Sequence, residues 1–278
     1  FYQNNLFNSN INFWDTSNVT NMGGMFRDAS SFDQPLNNWD VSNVTEMSNM
    51  FWFTSFNKPL NNWNVSNVTR MISMFNNSSF NQDISNWNTS NVTAMSGMFA
   101  FTPMNQPLNN WDVSKVSDFN SMFARTNAFN QPLDNWNTQG ATDMQAMFFS
   151  ASAFNQNISN WDTSNVSSTR FMFDGATSFN QPLNSWNTSK VTDMERMFKA
   201  ATSYNQPLDN WNVSNVTNMT NMFNCDELGF TSNFDSTYTN SWIANDDLSA
   251  VNIFQDGLLD ISNDNITYAA ANYNKFDV

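Results

Sequence analysis

The stretch FDQPLNNWDVSNVTEMSNMFWFTSF, residues 32–56, is one full copy of a unit that recurs along the chain. Its tryptophan returns nine times, at intervals of 24 or 25 residues. The nine positions are Trp14, Trp39, Trp63, Trp87, Trp111, Trp136, Trp161, Trp186 and Trp211. Self-similarity at this period is typical of proteins in which one supersecondary unit stacks on copies of itself.

The apolar residues of each unit predict its local structure. In LNNWDVS, Trp39 and Val41 alternate with polar neighbours, which is the pattern of a short strand with one buried face. In TEMSNMF, Met47, Met50 and Phe51 follow the i, i+3, i+4 spacing of one or two helical turns. We therefore predict an α/β repeat solenoid with a short parallel strand and a short helical turn in each 24–25-residue repeat.

The repeat pattern L-x-x-W-x-V-S-x-V-T-x-M-x-x-M-F resembles the BspA-like leucine-rich repeat surface proteins. It is closest to the branch once catalogued as a mycoplasma domain of unknown function. The resemblance is carried by NNWDVSNVTEMSNMF at 37–51 and by SFNQPLNSWNTSKVTDMERMF at 178–198. It implies a right-handed, leucine-rich-repeat-like coil on a secreted or cell-surface protein. It also implies adhesion or contact with proteins and glycans, with no catalytic residues to carry over.

The period divides the chain into two parts. Residues 1–225 are predicted to form a nine-repeat solenoid whose first repeat is incomplete, because Phe1 aligns with Phe26 inside a unit. We expect the chain to be a piece of a longer protein, or a partner to cover that end. Residues 226–278 lose the period and are predicted to be a C-terminal cap or a docking segment.

The composition excludes several classes of function. The net charge is −14, which argues against nucleic acids and anionic membrane surfaces, and no apolar run is long enough to span a bilayer. The chain has no histidine, one cysteine and seven glycines, so it offers no imidazole base, no Cys/His metal cluster and no glycine-rich phosphate loop. We therefore assign no catalytic, cofactor-binding or metal-binding residue and no cofactor.

Three polar columns flank the tryptophans and form the candidate binding face. They lie one residue before, one residue after and three residues after each tryptophan. In the central repeats they comprise Asn38, Asp40, Ser42, Asn62, Asn64, Ser66, Asn86, Asn88, Ser90, Asn110, Asp112 and Ser114. Either they hydrogen-bond a protein or glycan partner, or they bond to each other along the stack. A fourth polar column, six residues before each tryptophan and including Asn57 and Asn81, is predicted to be a structural amide ladder.

The sequence thus predicts a non-enzymatic adhesion or recognition protein, secreted or at the cell surface. An alternative is a structural protomer that polymerises end to end through its solenoid ends into an extracellular filament. An ice-binding surface is a third class, but the many Asn and Asp residues interrupt the flat Ser and Thr pattern that such a surface needs.

Overall fold

The computed structural model describes residues 1–224, which form an array of stacked repeats. Below, a position is counted from the tryptophan of its own repeat, so that Met47 occupies position +8 in the repeat of Trp39. Parallel bridges, each one residue long, join position +7 of every repeat to position +7 of the next. The bridging residues are Asn21, Glu46, Arg70, Ala94, Asp118, Asp143, Ser168, Asp193 and Asn218. Residues 1–224 contain no helix and no strand longer than these one-residue bridges.

The predicted fold class, an α/β repeat solenoid of the leucine-rich-repeat type, is therefore wrong. The expected strand around Trp39 is interrupted by two tight turns. The Trp39 N–H donates to the Leu36 carbonyl at 3.1 Å, and the Val44 N–H donates to the Val41 carbonyl at 2.9 Å. Asn38 and Ser42 lie at the centres of these turns, and Asp40 lies exposed between them, so the alternation of polar and apolar residues does not require a regular strand.

The expected helical turn over residues 45–51 is also a run of turns. The Met50 N–H donates to the Met47 carbonyl at 3.2 Å, but the Asn49 N–H donates to the Ile72 carbonyl of the next repeat at 2.8 Å. Asn49 and Phe53 have φ angles of +58° and +56°, which lie in the left-handed region and cannot continue a right-handed helix. Met47, Met50 and Phe51 still point inward, since successive turns return these side chains to the core.

Each repeat donates four backbone hydrogen bonds to the next, and a fifth bond runs in the other direction, from the N–H at position +6 to the carbonyl at position +6 of the preceding repeat. The N–H groups at positions +8, +10, +12 and +14 donate to the carbonyls at positions +7, +9, +11 and +13 of the following repeat. In the repeat of Trp111 the four bonds are Phe119–Asp143 at 3.0 Å, Ser121–Gln145 at 2.9 Å, Phe123–Met147 at 2.9 Å and Arg125–Phe149 at 2.6 Å. In this backbone ladder the N–H and C=O groups make the hydrogen bonds that a helix or a sheet would provide in other proteins.

Two left-handed positions in each repeat make the ladder possible. Position +10 is left-handed at Gly24, Asn49, Ser73, Gly97, Ser121, Ala146, Phe171, Arg196 and Asn221. Position +14 is left-handed at Asp28, Phe53, Asn77, Phe101, Arg125, Ser150, Gly175 and Ala200. A left-handed residue reverses the local peptide planes, so that N–H and C=O groups point along the array. For residues other than glycine this conformation costs about 1–2 kcal/mol, which the inter-repeat bonds must offset.

The core is filled by stacked aromatic columns. Phenylalanines at position +12 stack from Phe26 to Phe223, with centroid separations between 5.4 Å for Phe198–Phe223 and 5.9 Å for Phe75–Phe99. A second column includes Phe32, which stacks on Phe26 at 3.9 Å. The predicted burial of the Trp, Met and Phe columns is confirmed from Trp39 onward.

Each buried tryptophan also makes a polar bond to the preceding repeat. The indole Nε1 of Trp111, for example, donates to the Ile84 carbonyl at 3.1 Å. Equivalent bonds are made by Trp39, Trp63, Trp87, Trp136, Trp161, Trp186 and Trp211. The tryptophan column therefore fixes register as well as filling volume, because each indole reaches one particular carbonyl.

Ala146→Gly is expected to stabilise the protein by up to about 1 kcal/mol, because Ala146 is left-handed and glycine adopts this conformation without strain. The matched control is Ala124→Gly in the neighbouring repeat, which does not have a positive φ and is expected to destabilise by about 0.5–1 kcal/mol. Urea unfolding followed by circular dichroism measures both. Destabilisation by Ala146→Gly equal to that of the control would indicate a helix here.

Trp111→Phe is expected to destabilise the protein by about 2–4 kcal/mol, because it shrinks a buried side chain and removes one of the two N–H donors to the Ile84 carbonyl, the other being the Trp87 N–H. Trp14→Phe is the control. Trp14 is 39% exposed and its indole N–H donates no hydrogen bond within residues 1–224, so a loss below about 1 kcal/mol is expected. Equal losses in the two variants, measured by chemical unfolding, would show that the indole bonds contribute nothing.

Candidate functional site

The predicted binding residues lie together on one exposed surface, named here the polar face: positions −1, +1 and +3 of the stacked repeats. In the central repeats the residues at −1 and +1 are exposed and the serines at +3 are half-buried. Because the repeats stack in register, the three positions form adjacent columns.

The carboxylates and amides at position +1 hold turns within their own repeat. The Oδ1 of Asp40 accepts a hydrogen bond from the Ser42 N–H at 2.9 Å, and the Oδ1 of Asp112 accepts one from the Ser114 N–H at 3.0 Å. Asn64 and Asn88 make the same bond to the following serine. This is the turn that Asp and Asn side chains form with the backbone two residues on.

These turns change the acidity of the aspartates. Hydrogen bonds from the Ser42 hydroxyl and N–H lower the pKa of Asp40, and those from Ser114 lower the pKa of Asp112. The same cause lowers the pKa of Asp15 and Asp162. These aspartates are therefore ionised at neutral pH.

At position −1 some side chains bond along the stack, which is the second of the two alternatives predicted for the polar columns. The Asn86 Nδ2 donates to the Asn61 carbonyl of the preceding repeat at 2.8 Å, and the Asn160 Nδ2 donates to the Asp134 carbonyl at 2.6 Å. Asn62 and Asn110, by contrast, are exposed and their side chains make no hydrogen bond within residues 1–224. The polar face thus mixes structural bonds with side chains that are available to a ligand.

The fourth polar column is a structural ladder, as predicted. The Oδ1 of Asn57 accepts the Asn81 N–H at 2.9 Å, and the Oδ1 of Asn81 accepts the Asn105 N–H at 2.9 Å. The following glutamine adds a second donor to most of these oxygens, as Gln82 does to Asn57. Where the column carries Asp33, the second donor is Lys58, whose Nζ lies 2.6 Å from the carboxylate.

A second exposed surface was not predicted from the sequence. Arginine side chains lie against aromatic rings in two groups at positions +13 and +14, separated by Asn76 and Asn77, and we name the two groups together the arginine–aromatic strip. It comprises Tyr2, Arg27, Trp52, Phe53, Phe101, Arg125 and Phe149. Tyr2, Phe53 and Phe101 are 55%, 54% and 47% exposed, which is unusual in a chain that otherwise buries its aromatic columns.

Arginines lie between the aromatic rings of the strip. The Arg27 guanidinium lies 3.9 Å from the Trp52 ring centroid and 5.5 Å from that of Tyr2. The Arg125 guanidinium lies 5.3 Å from the Phe101 centroid and 5.6 Å from that of Phe149. These separations fall within the range of cation–π attraction.

The sequence did contain a signal for this surface. All five arginines of the chain fall between positions +7 and +14, although this segment is about a third of each repeat. The aromatic residues at +13 and +14 also break the repeat consensus, which marks them as additions to the scaffold. Arranging the sequence by column and then searching for departures from the consensus would have identified the strip.

Neither surface provides a metal site or a membrane span within residues 1–224. No group of three or more His, Cys, Asp or Glu side chains is placed to hold a metal ion there. The same residues include no helix with the length and apolar character needed to cross a bilayer.

The in-register stacking, the buried tryptophan column and the two exposed surfaces define a repeat protein built from 24–25-residue units. The chain belongs to the family described as Mycoplasma protein of unknown function, DUF285, which matches residues 1–79, 53–153 and 131–242. No match was found among curated proteins. The family match supports the mycoplasma-type branch of the resemblance, and not the BspA-like leucine-rich repeat assignment in particular.

Acidification is expected to destabilise the protein through the aspartates at position +1. Their pKa is lowered in the folded chain, so their stabilisation is complete above the unfolded value of about 3.9 and is lost as the pH falls through the folded pKa. The double variant Asp112→Asn/Asp162→Asn keeps the turns, since Asn64 and Asn88 form them. Its melting temperature is expected to fall less than that of the wild type between pH 7 and about pH 3. Identical acid sensitivity in the two proteins would contradict this account.

Proposed function

We propose that this chain is a non-enzymatic adhesion or recognition protein, secreted or at the cell surface, whose polar face binds a protein or glycan partner. The observation that carries the proposal is the in-register arrangement of exposed amides and carboxylates at positions −1 and +1 beside half-buried hydroxyls at position +3. A regular set of hydrogen-bonding groups on a fixed backbone suits an extended partner, because little backbone freedom is lost on binding.

The geometry of the polar face supports this proposal in two ways. The turns held by Asp40 and Asp112 fix the backbone beneath the face, so its groups are held in place before a partner arrives. Asn62 and Asn110 then present amides that make no hydrogen bond within the described residues. Amides that both donate and accept match the hydroxyls of a glycan and the backbone of a protein equally well.

The absence of histidine from the whole sequence favours recognition over catalysis. The secreted or surface location rests on the family resemblance and is part of the proposal. The alternative of end-to-end polymerisation stays a prediction. Its docking element falls in residues 226–278, which lie outside the residues that the structure describes.

The double variant Asn62→Arg/Asn110→Arg tests the proposal. Both side chains are exposed and make no hydrogen bond within residues 1–224, so the substitutions cover the polar face without removing a structural bond. Binding to a glycan array and to immobilised extracellular-matrix proteins is measured with labelled protein. Covering the face is expected to weaken binding at least about tenfold, which corresponds to about 1.4 kcal/mol.

The matched control is Ser79→Arg/Asn127→Arg. These two exposed positions are also two repeats apart and add the same charge, but they lie away from the polar face at position +16. The control is expected to bind as the wild type does. Equal loss of binding in both double variants, or no binding by the wild type to any glycan or matrix protein, would refute the proposed function.

A further inference from the structure

Arg125 differs from the other arginines in its electrostatic surroundings. Arg27, Arg70, Arg170 and Arg196 each lie within 3.6 Å of a carboxylate oxygen. Arg125 is exposed and has no carboxylate within ion-pair distance among residues 1–224. Arg125 is thus the one arginine without an ion pair among residues 1–224, in a chain that carries 24 acidic residues against 10 basic ones.

The rings on either side of Arg125 form a shaped surface around its charge. Phe101 precedes it by one repeat at position +14, and Phe149 follows it by one repeat at position +13. Both rings lie within 5.6 Å of the guanidinium carbon. They hold the guanidinium by cation–π attraction and leave its N–H donors for a ligand.

Neutral polar residues continue the same row. Asn77, Phe101, Arg125 and Ser150 occupy position +14 of four consecutive repeats, with φ angles of +56°, +60°, +55° and +52°. Their N–H groups all donate to the following repeat. The four residues therefore share one backbone conformation and project from the array in the same direction. An amide and a hydroxyl thus stand at the two ends of a Phe–Arg pair.

We propose that Arg125, Phe101 and Phe149 form a binding site for the carboxylate of an acidic sugar, such as a hexuronate. The guanidinium takes the carboxylate in a two-bond, charge-assisted pair. The Phe rings pack against the apolar C–H face of the sugar ring, and Ser150, in the repeat that follows Arg125, is the polar residue of position +14 nearest to its hydroxyls. This site lies on the arginine–aromatic strip, apart from the polar face, and does not depend on the function proposed for that face.

The charge balance of the chain favours a ligand with one carboxylate on a neutral body. A net charge of −14 repels polyanions such as nucleic acids at long range. One unpaired guanidinium matches one carboxylate, and two aromatic rings suit a partner with an apolar face. An acidic peptide offers the carboxylate without a rigid apolar ring face. The experiment must therefore distinguish binding of such a peptide from binding of an acidic sugar.

Isothermal titration at low salt with sodium glucuronate, glucose, acetate and a short glutamate-containing peptide tests the site. The full chain is expected to bind glucuronate, and to bind glucose and acetate at least about tenfold more weakly, because a hydrogen bond to a charged group and the ring contact each contribute to affinity. Arg125→Gln is expected to weaken glucuronate binding at least about tenfold. Phe101→Asn, which keeps the conformation that Asn77 shows in the same column, is expected to reduce the preference for glucuronate over acetate.

The control variant is Arg70→Gln, which removes an exposed arginine that pairs with Glu46 at 3.2 Å and lies off the strip at position +7. It is expected to bind glucuronate as the wild type does. The proposal is overturned if glucuronate does not bind, if Arg70→Gln weakens binding as much as Arg125→Gln does, or if the peptide or acetate binds as tightly as glucuronate. Loss of binding at the polar face by Asn62→Arg/Asn110→Arg should leave glucuronate binding unchanged, so the two proposals can fail separately.

Discussion

The array depends on the four backbone hydrogen bonds that each repeat donates to the next one. They exist because positions +10 and +14 are left-handed, which turns alternate peptide groups along the array instead of back into a helix. Each non-glycine residue in this conformation carries a strain of about 1–2 kcal/mol. The strain is offset by the inter-repeat bonds and by the aromatic columns. An isolated repeat would lack both and would not be stable in this conformation.

The two exposed surfaces follow from the same arrangement. On one side the turns around each tryptophan project Asn, Asp and Ser outward, and Asp40 and Asp112 use one carboxylate oxygen to hold those turns. On another side the left-handed residues at +14 project Phe101 and Arg125 in parallel. The backbone does not require an aromatic ring at either surface. Phe101 and Arg125 depart from the repeat consensus, whereas the residues of the polar face conform to it.

Much of the interior was predictable from the sequence, and the secondary structure was not. The burial of Trp39, Met47 and Phe51 followed from apolar spacing, and the ladder through Asn57 and Asn81 followed from its recurrence. The strand and the helical turn were wrong because successive turns also bury every third or fourth residue. Asn49, Gly24 and Gly97 at position +10 favour a left-handed residue there, but Phe171 and Arg196 in the same column hide that signal. The pairing of Arg125 with rings from two other repeats could not be read from the chain order alone.

The most direct test of the ladder is the detection of scalar couplings across its hydrogen bonds by NMR on the isotope-labelled chain. The account predicts a correlation between the Ser121 amide nitrogen and the Gln145 carbonyl carbon, and another between Phe123 and Met147, since these pairs bond at 2.9 Å. Correlations that instead join Phe123 to the Phe119 carbonyl, four residues earlier in the same repeat, would show a helix and contradict the account.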